Sequence, residues 1–300
     1  VHAAESAMPS AVLSPDPSYI SSRPIGAAVV TVVSDGALRW APRYPAPEAD
    51  WRRALPEADA DGRIWLGLNV VLIDLDGARI VIDPALDDPG ASFDRWFADD
   101  ASIEIIRSPG LAAGMGLLGW APESVTHVVI THPHGDHYGG VARERDGALA
   151  TRFPNARHFI GRADWIDNPE RAESGSEVER RLGPVERSGL LELVAGEREI
   201  APGVAVLPAP GETPGHQVVR LDSGGERLYV LGDLVHHACE VEHRDWAPRW
   251  ADAAAIAAVR AQLFSELARS GALAVSAHER FPPWRRIVAA GDGFRQEASA

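Results

Sequence analysis

The amino-acid sequence predicts an α+β fold, in which layers of sheet and helix form one domain. Three observations predict it: two early strand-like runs joined by a tight turn, a continuous apolar run in the middle of the chain, and a late amphipathic helix followed by another apolar run. The chain has 300 residues, of which 45% are hydrophobic and 24% charged, so it is long enough to bury a large core.

The first 60 residues are rich in proline and alanine. Because proline fixes φ and lacks a backbone donor, such a segment favours extended chain over regular helix. We therefore predict a Pro-rich N-terminal arm over residues 1–60, packed on a main domain over residues 61–300. Within the arm, the β-branched run 27–33 ends at the turn residues Ser34-Asp35-Gly36 and predicts one strand.

The first elements of the main domain are predicted to form a hairpin. Runs 65–73 and 78–82 flank the dipeptide Asp76-Gly77, which is typical of a two-residue turn between antiparallel strands. Run 125–131 predicts a fully buried strand. Shorter strands are predicted near residues 157–160, 190–194, 204–207, 217–221, 227–231 and 273–276.

The helix is clearest over residues 252–270. Asp252 suits the N-cap, and Gly271 suits the position after the last helical residue, where the left-handed conformation is common. Apolar residues recur along one stripe, namely Ile256, Val259, Leu263 and Leu267. Such a stripe is typical of a helix with one buried face.

Composition and charge exclude several classes of protein. Lys and Arg number 29 and Asp and Glu number 43, which gives a formal net charge of −14 at pH 7. Because an acidic surface repels phosphate backbones and anionic lipid headgroups, we expect no nucleic acid partner and no membrane partner. The single cysteine, Cys239, excludes an internal disulfide.

The sequence also bears on location and assembly. No apolar run is long enough to span a bilayer and no signal peptide is visible, which favours a cytoplasmic location. The chain begins with Val1 rather than Met, so a removed leader stays an open alternative. A homodimer formed through the Pro-rich arm is also open.

A cluster of potential metal ligands directly follows the predicted buried strand. His132, His134, Asp136 and His137 lie within six residues, and imidazole and carboxylate groups suit Zn²⁺ and similar divalent cations. Alternation along extended chain sends His132 and His134 the same way, and a turn at Gly135 lets the next two ligands reach a second metal. The alternative, a solvated polar loop, needs three histidines in six residues by chance in a chain with 11 histidines.

Two metals need further ligands, and we expect these at other strand ends. His216 stands at the start of a predicted strand, and Asp233 and His278 stand where two apolar strands end. Each residue alone is a weak signal, because a histidine after a strand is more often solvated. Together with the cluster, the three strand-end residues predict a site with two metals.

This pattern resembles the seven-ligand set of dinuclear hydrolases with the metallo-β-lactamase fold. The resemblance covers roughly residues 65–278 and implies a four-layer αββα sandwich with a dinuclear metal site at the sheet edge, in a catalytic domain over residues 61–300. It implies that Asp233 bridges two divalent cations, zinc first, with manganese, iron or cobalt as alternatives. It implies one metal held by His132, His134 and His216, and a second held by Asp136, His137 and His278.

Within that superfamily the chain resembles the branch of methyl-parathion-hydrolase-like proteins and N-acyl-homoserine lactonases. The segments that carry this resemblance are 211–217, 232–236 and 281–283. True β-lactamases of this fold lack the bridging carboxylate, so Asp233 argues against antibiotic hydrolysis. Homoserine-type lactonases often have a tyrosine three residues after that aspartate, whereas this chain has His236, which favours the methyl-parathion-hydrolase-like side.

The resemblance implies a hydrolase in which a metal-bridging hydroxide cleaves a carboxylic ester or lactone of a small neutral substrate. Phosphotriester hydrolysis and quorum quenching through acyl-homoserine lactones are the alternatives, and a structural metal-binding module is the alternative outside enzymes. We assign Asp136 and Asp233 to catalysis, with Asp136 steering the hydroxide and moving its proton. We predict that Tyr138 and His236 contact the substrate.

For two further sets of residues, the sequence leaves two alternative roles open. Thr131 and Asp83 stand at strand ends, where they either orient the histidine ligands or cap the strands. Several of the nine tryptophans fall in loop-like stretches. They either line an apolar substrate mouth or anchor loops in the core.

Overall fold

The structure, a computed structural model, describes residues 17–93, 103–145 and 148–299. Within these residues the strands are β1 Ile20–Ile25, β2 Ala28–Trp40, β3 Ile64–Leu75, β4 Ala78–Ile82, β5 Glu104–Arg107, β6 His127–Val129, β7 Ala142–Arg145, β8 Ala148–Thr151, β9 Arg157–Gly161, β10 Leu191–Val194, β11 Arg198–Ala201, β12 Val204–Pro208, β13 Gln217–Ser223, β14 Glu226–Val230, β15 Leu273–Val275, β16 Arg285–Ala290 and β17 Gly293–Ala298. The α-helices are α1 Glu48–Ala54, α2 Gly110–Leu117, α3 Gly135–Tyr138, α4 Arg162–Ile166, α5 Glu177–Arg187, α6 Cys239–Glu242 and α7 Ala253–Ser270.

The strands form two large sheets and a separate β7–β8 hairpin in the described part of the chain. The first sheet has the order β1-β2-β3-β4-β6-β9-β10, with β5 paired to β2, and the second sheet runs from β11 to β17 in chain order. Strands β4, β6, β9 and β10 are parallel to one another, as are β14 and β15. Since parallel strands end at the same edge, the loops after them are brought together.

Three apolar cores separate four layers. Along β3, Val70 faces helices α2 and α5, whereas Val71 faces the second sheet, because successive side chains of a strand point to opposite faces. On the second sheet, Val230 faces inward, and Tyr229 shares the outer core with Phe264 of α7. The layers are therefore helix, sheet, sheet and helix, which is the predicted αββα sandwich.

The predicted hairpin and the predicted long helix are both confirmed. Asp76 and Gly77 have φ values of 47° and 82° at the turn between β3 and β4, as a two-residue turn of this kind requires. The Asp252 carboxylate accepts hydrogen bonds from the first backbone amides of α7. The helix ends at Gly271, whose φ of 65° is the left-handed cap.

Residues 20–40 of the predicted N-terminal arm form two strands of the first sheet, β1 and β2. Val30, Val32 and Val33 of β2 are buried and lie on both faces of the strand, and β2 pairs with β3 along its length, so this segment belongs to the core. Pro24 lies in β1, the edge strand, where the missing backbone donor costs no sheet hydrogen bond. Residues 1–16 lie outside the described residues, and the boundary at residue 60 stays a prediction.

No helix in the described ranges is both long and apolar enough to cross a bilayer.

Two buried arginines fix the loop that follows the ligand cluster. Arg152 donates to the Gly140 carbonyl at 2.7 Å, and Arg181 of α5 donates to the Gly139 carbonyl at 2.8 Å. Both guanidinium groups pair with the buried carboxylate of Asp87, at 3.1 and 2.9 Å. The two glycines allow close approach, because a Cβ on Gly140 would lie 2.1 Å from the carbonyl oxygen of Pro84. Helix α5 and the loop after β4 therefore hold the end of α3 in place.

We predict that Arg181→Ala destabilises the protein by about 3–5 kcal/mol, because removing one partner of a buried ion pair leaves the other charge uncompensated. Urea unfolding followed by circular dichroism measures the change. The matched control is Arg187→Ala on the same helix, whose side chain is 63% exposed and forms its ion pair with Glu179. The control should shift stability by less than about 0.5 kcal/mol. Equal unfolding midpoints for the two variants would contradict the role given to Arg181.

Candidate metal centre

Six of the seven predicted ligands face one another where β4, β6, β14 and β15 end. The cluster after β6 enters helix α3, Asp233 follows β14, and His278 follows β15. Three groups of potential ligand atoms form there among the described residues, each with its atoms within 4.8 Å of one another, and the third, Asp233, His236 and His278, shares one residue with each of the other two. The first consists of His132, His134, Glu212 and Asp233, and the second of Asp136, His137 and His278.

The carboxylate of Asp233 lies between the first two groups. Its Oδ1 is 3.2 Å from Nε2 of His137 and 3.2 Å from Nε2 of His278. Its Oδ2 is 3.5 Å from Nε2 of His132. One oxygen therefore faces each group, which is the arrangement expected of a bridging ligand.

The remaining contacts complete each group. Asp136 Oδ2 lies 3.5 Å from His278 Nε2, and its Oδ1 lies 3.9 Å from His137 Nε2. In the first group, His132 Nε2 and His134 Nδ1 are 2.8 Å apart. His134 directly precedes α3 and has extended backbone, with φ −82° and ψ 147°.

His216 lies beside the first group but is not part of it. Its Nδ1 donates to the carbonyl of Ala209 at 3.0 Å, and its Nε2 accepts the backbone N–H of Asp233 at 3.1 Å. Its ring centroid is 5.2 Å from that of His132. Ligation by His216 therefore stays a prediction.

Glu212 is the site residue that the sequence prediction did not include. Its Oε1 lies 3.4 Å from Nδ1 of His134 and accepts the indole N–H of Trp250, and its Oε2 is buried without a hydrogen-bond partner among the described residues. Burial raises the pKa of Glu212 to about 7, with His236 acting to lower it and the Asp233 carboxylate acting to raise it. In the sequence, the only signal is an acidic residue four positions before His216, within a turn.

The second ring nitrogens of the ligands are held by hydrogen bonds. His137 Nδ1 donates to Asp83 Oδ2 at 2.9 Å, and His278 Nδ1 donates to the Gly67 carbonyl at 2.9 Å. Thr131 donates its hydroxyl to the same oxygen of Asp83, so its lone pair receives Nδ1–H of His132 at 3.1 Å. These contacts hold the rings so that each Nε2 faces the centre.

Two imidazoles beside the centre are held neutral. Burial lowers the pKa of His132 well below its usual value, and the neighbouring rings of His137 and His134 lower it further. Burial likewise lowers the pKa of His216 to about 4. A neutral imidazole keeps the lone pair that metal ligation requires.

For His137 and Asp233, which face each other at the centre, the pKa shifts favour the charged form of each side chain. Burial alone would lower the pKa of His137, but the carboxylates of Asp233 and Asp83 raise it well above its usual value. Burial would raise the pKa of Asp233, but the imidazoles of His137 and His278 lower it well below its usual value. Asp233 is therefore ionised at neutral pH, with the imidazoles of His137 and His278 facing it.

The residues present fit a pair of divalent cations. His137 Nε2 and Asp233 Oδ1 are both buried and, within the described residues, neither has a partner in hydrogen-bond geometry, although they are 3.2 Å apart. Leaving two such atoms unpaired costs about 1–3 kcal/mol each. His137 and Asp233 would hold a divalent cation through these two atoms, and the imidazole and carboxylate donors suit zinc, manganese, iron or cobalt.

A cavity of about 260 Å³ opens onto these groups. Its polar floor includes Asp136, Asp233, His236 and His278. Its apolar wall consists of Leu38, Trp40, Leu66, Ile103 and Trp250. The cavity thus joins the candidate metal centre to a surface suited to an apolar substrate.

Of the two residues predicted to contact substrate, one lies on the cavity. His236 lines it, with Nε2 3.2 Å from Asp233 Oδ2. Tyr138 does not line it: the side chain is 2% exposed and its ring packs 6.2 Å from that of Phe93 in the helix-facing core. The prediction for Tyr138 is therefore wrong, because the short helix α3 points that residue away from the centre.

His236 belongs to a buried charged network. Its Nδ1 lies 3.3 Å from Oε1 of Glu240, which accepts the hydroxyl of Tyr44 at 2.7 Å and pairs with buried Arg260. Burial would raise the pKa of Glu240, but Arg260 and His236 lower it to about 2. Burial would lower the pKa of His236, but Glu240 and Asp233 raise it well above its usual value. His236 therefore presents an N–H donor to the cavity.

Both positions predicted for the tryptophans occur, the wall of a cavity and the core. Trp40 and Trp250 line the cavity, with ring centroids 5.3 Å apart. Others are buried in the core, namely Trp120, Trp165, Trp246 and Trp284.

Comparisons with known proteins bear on this arrangement. A family model described as the metallo-beta-lactamase superfamily matches residues 63–275. A probable metallo-hydrolase of Mycobacterium tuberculosis is 26% identical over 242 residues, covering 75% of this chain and 74% of that protein. An N-acyl homoserine lactonase of Bacillus cereus is 30% identical over 115 residues, covering 38% of this chain and 40% of that protein.

Solved structures share the fold. AidC, a dizinc quorum-quenching lactonase in complex with a product, matches with a TM-score of 0.73 and 21% identity, over 94% of this chain and 97% of that chain. The hydrolase AbOPH, described as lying in the beta lactamase superfamily, matches with a TM-score of 0.77 and 19% identity, over 94% of this chain and 98% of that chain. The predicted fold is confirmed.

We predict that Asp83→Asn weakens binding of zinc or manganese by about 10- to 100-fold, because the carboxylate orients His137 and, through Thr131, His132. Competition with a chromophoric chelator measures the affinity. The control is Asp74→Asn on the neighbouring strand β3, where the half-exposed carboxylate lies 3.8 Å from the Arg79 guanidinium and away from the site. Unchanged metal affinity in Asp83→Asn would contradict this role.

Cys239 is expected to be unreactive in the folded protein. Burial, followed by the charge of Glu240, raises the pKa of its thiol to about 12. At pH 8 the reactive thiolate is then roughly one part in ten thousand, four pH units below the pKa. Labelling with a chromogenic disulfide should therefore be slow in buffer and stoichiometric in urea. Rapid labelling of the folded chain would show that the thiol is accessible and ionised.

Proposed function

The chain belongs to the metallo-β-lactamase superfamily as a metallo-hydrolase, and on this premise we propose that it cleaves a carboxylic ester or lactone of a small substrate at a dinuclear metal centre. The observation that carries the proposal is the position of Asp233, with one oxygen toward each group of ligands. A structural metal site is a closed cage of four ligands, whereas this centre opens onto a cavity. We propose zinc as the metal.

Each residue of the centre has a task in this proposal. His132, His134 and His216 hold one cation, and Asp136, His137 and His278 hold the other, with Asp233 between them. When bound, the cations supply Lewis acidity and lower the pKa of water toward neutrality. Asp136 lines the cavity with its side chain 13% exposed, and we assign its carboxylate to accept and release the proton of the attacking water.

We assign His236 to the substrate. Glu240 accepts from Nδ1, so Nε2–H is directed toward Asp233 Oδ2 and the cavity. A donor there suits the carbonyl oxygen of an ester, on which negative charge develops as the bond breaks. The residue takes the place of the tyrosine that homoserine-type lactonases often have.

The cavity favours a substrate that is neutral at its reacting end. A volume of about 260 Å³ with leucine, isoleucine and tryptophan walls suits a short acyl chain or a small ring. The names of relatives favour a lactone, since they include N-acyl homoserine lactonases. Phosphotriester hydrolysis is the second candidate, because charge develops on an oxygen in that reaction as well. The homodimer and the cytoplasmic location stay predictions.

The test is a parallel assay of a γ-lactone, an aryl acetate and an aryl phosphotriester with metal-loaded protein. We expect about two metals per chain, and turnover of the lactone or the acetate. Asp233→Ala should lose metal together with nearly all activity while circular dichroism stays unchanged, because no other carboxylate bridges the groups. The control, Asp222→Ala on β13, should retain both. Full turnover by metal-stripped protein would overturn the proposal.

A further inference from the structure

A second cavity, of about 560 Å³, adjoins the cavity over the metal centre. Trp40 and Trp250 line both cavities, so the two spaces share one aromatic wall. The wall continues to the ligands, because the Trp250 ring lies 5.9 Å from His134 and the Trp40 ring lies 6.3 Å from His236. A molecule with its reacting bond at the centre can therefore extend past the indoles into the second cavity.

The lining of the second cavity is positively charged. Arg43, Arg63 and Arg249 line it, and Asp61 is the acidic residue among its lining. Arg63 pairs with Asp59 at 2.9 Å and approaches Asp61 at 3.6 Å. This cluster stands out on a chain whose formal net charge is −14.

Two of these arginines have a guanidinium group that is not paired with a described acidic residue. Arg43 and Arg249 are exposed, and within the part of the chain that the structure describes neither makes an ion pair or a side-chain hydrogen bond. Guanidinium groups of this kind are well suited to bind a carboxylate or a phosphate through paired donors.

The backbone that carries both arginines is anchored to the catalytic side. Arg43 lies between buried Pro42 and buried Tyr44, and the Tyr44 hydroxyl donates to Glu240, which in turn contacts His236. Arg249 directly precedes Trp250, whose indole N–H donates to Glu212. The charged cavity is therefore held in a fixed position relative to the metal centre, as a built subsite requires.

We propose that the second cavity is an outer subsite for an anionic group at the far end of the substrate. This inference rests on the proposed function and refines its substrate class: a neutral ester or lactone at the centre, an apolar spacer against Trp40 and Trp250, and a terminal carboxylate or phosphate bound by Arg43, Arg63 and Arg249. The terminal anion is distant from the reacting bond, so it contributes to binding and not to the chemical step.

The experiment compares aryl esters of straight-chain acids of increasing length, each as a methyl-terminated and a carboxylate-terminated member. Above the chain length that spans the indoles, the carboxylate-terminated ester should have the higher kcat/KM, through a lower KM. Arg43→Gln and Arg249→Gln should each lower that value by about threefold to fivefold, as expected for an exposed ion pair, and leave the methyl-terminated ester unchanged. Added salt should diminish the preference.

The control variant is Arg295→Gln on β17, an exposed arginine that lines neither cavity and pairs with Glu297. It should retain the preference for the carboxylate terminus. Equal kcat/KM for both members of every pair, or equal losses for both members in the arginine variants, overturns the outer subsite while the proposed hydrolase stands.

A binding measurement separates this failure from failure of the proposed function. Non-hydrolysable alkyl amides with either terminus are titrated into the protein while tryptophan fluorescence is recorded, since Trp40 and Trp250 line the path. If no ester or lactone is cleaved, tighter binding of the carboxylate-terminated amide, lost in Arg43→Gln and Arg249→Gln, still supports the subsite. Equal binding of the two amides overturns it. A phosphate-terminated amide in the same titration distinguishes the two anions.

Discussion

The rest of the site depends on one buried negative charge, the carboxylate of Asp233. Imidazoles from both sheets face it, His132 and His137 from the first sheet and His236 and His278 from the second. A carboxylate in the interior is stable only when positive charge and hydrogen-bond donors surround it. The two sheets must therefore meet in one relative position, and the apolar core between them supplies the packing that holds this position.

Sequence information was sufficient where the signal is local. The dipeptide Asp76-Gly77 fixes its turn through two positive φ values, and the ligand cluster after β6 is readable because its members lie within six residues. The distant residues Asp233 and His278 needed a second argument, namely that strand ends meet at one edge and that the pattern resembles a known family. The structure brings both to the cluster. The roles of the individual ligands remain proposals.

Sequence information was insufficient where long-range packing decides. Proline density suggested a surface arm, yet β2 is central because β3, which begins 24 residues after β2 ends, pairs along its length. In the sequence, Glu212 is a single acidic residue within a turn, which is typical of a solvated position. The fold buries it beside His134. Helix α5, unlike β2 and Glu212, has a local signal in the sequence. The Ser176 side chain caps the backbone amide of Glu179, but the many charged residues and Pro184 that follow obscure this start of a helix.

The ligands of the proposed centre come from two sheets that hydrogen bonds also join at this edge. The backbone N–H of Asn69 donates to the Ala277 carbonyl at 2.9 Å, and that of Gln217 donates to the Thr131 carbonyl at 3.0 Å. Cations bound there would add a cross-link between the two sheets. This cross-link would form only in the folded chain. By mass action, any species that binds the folded state and not the unfolded state raises the free energy of unfolding with its concentration. With metal bound at the proposed centre, the thermal stability of the protein would therefore rise with the concentration of free metal, and a shortage of metal would weaken the link between the two sheets at the edge that carries the site.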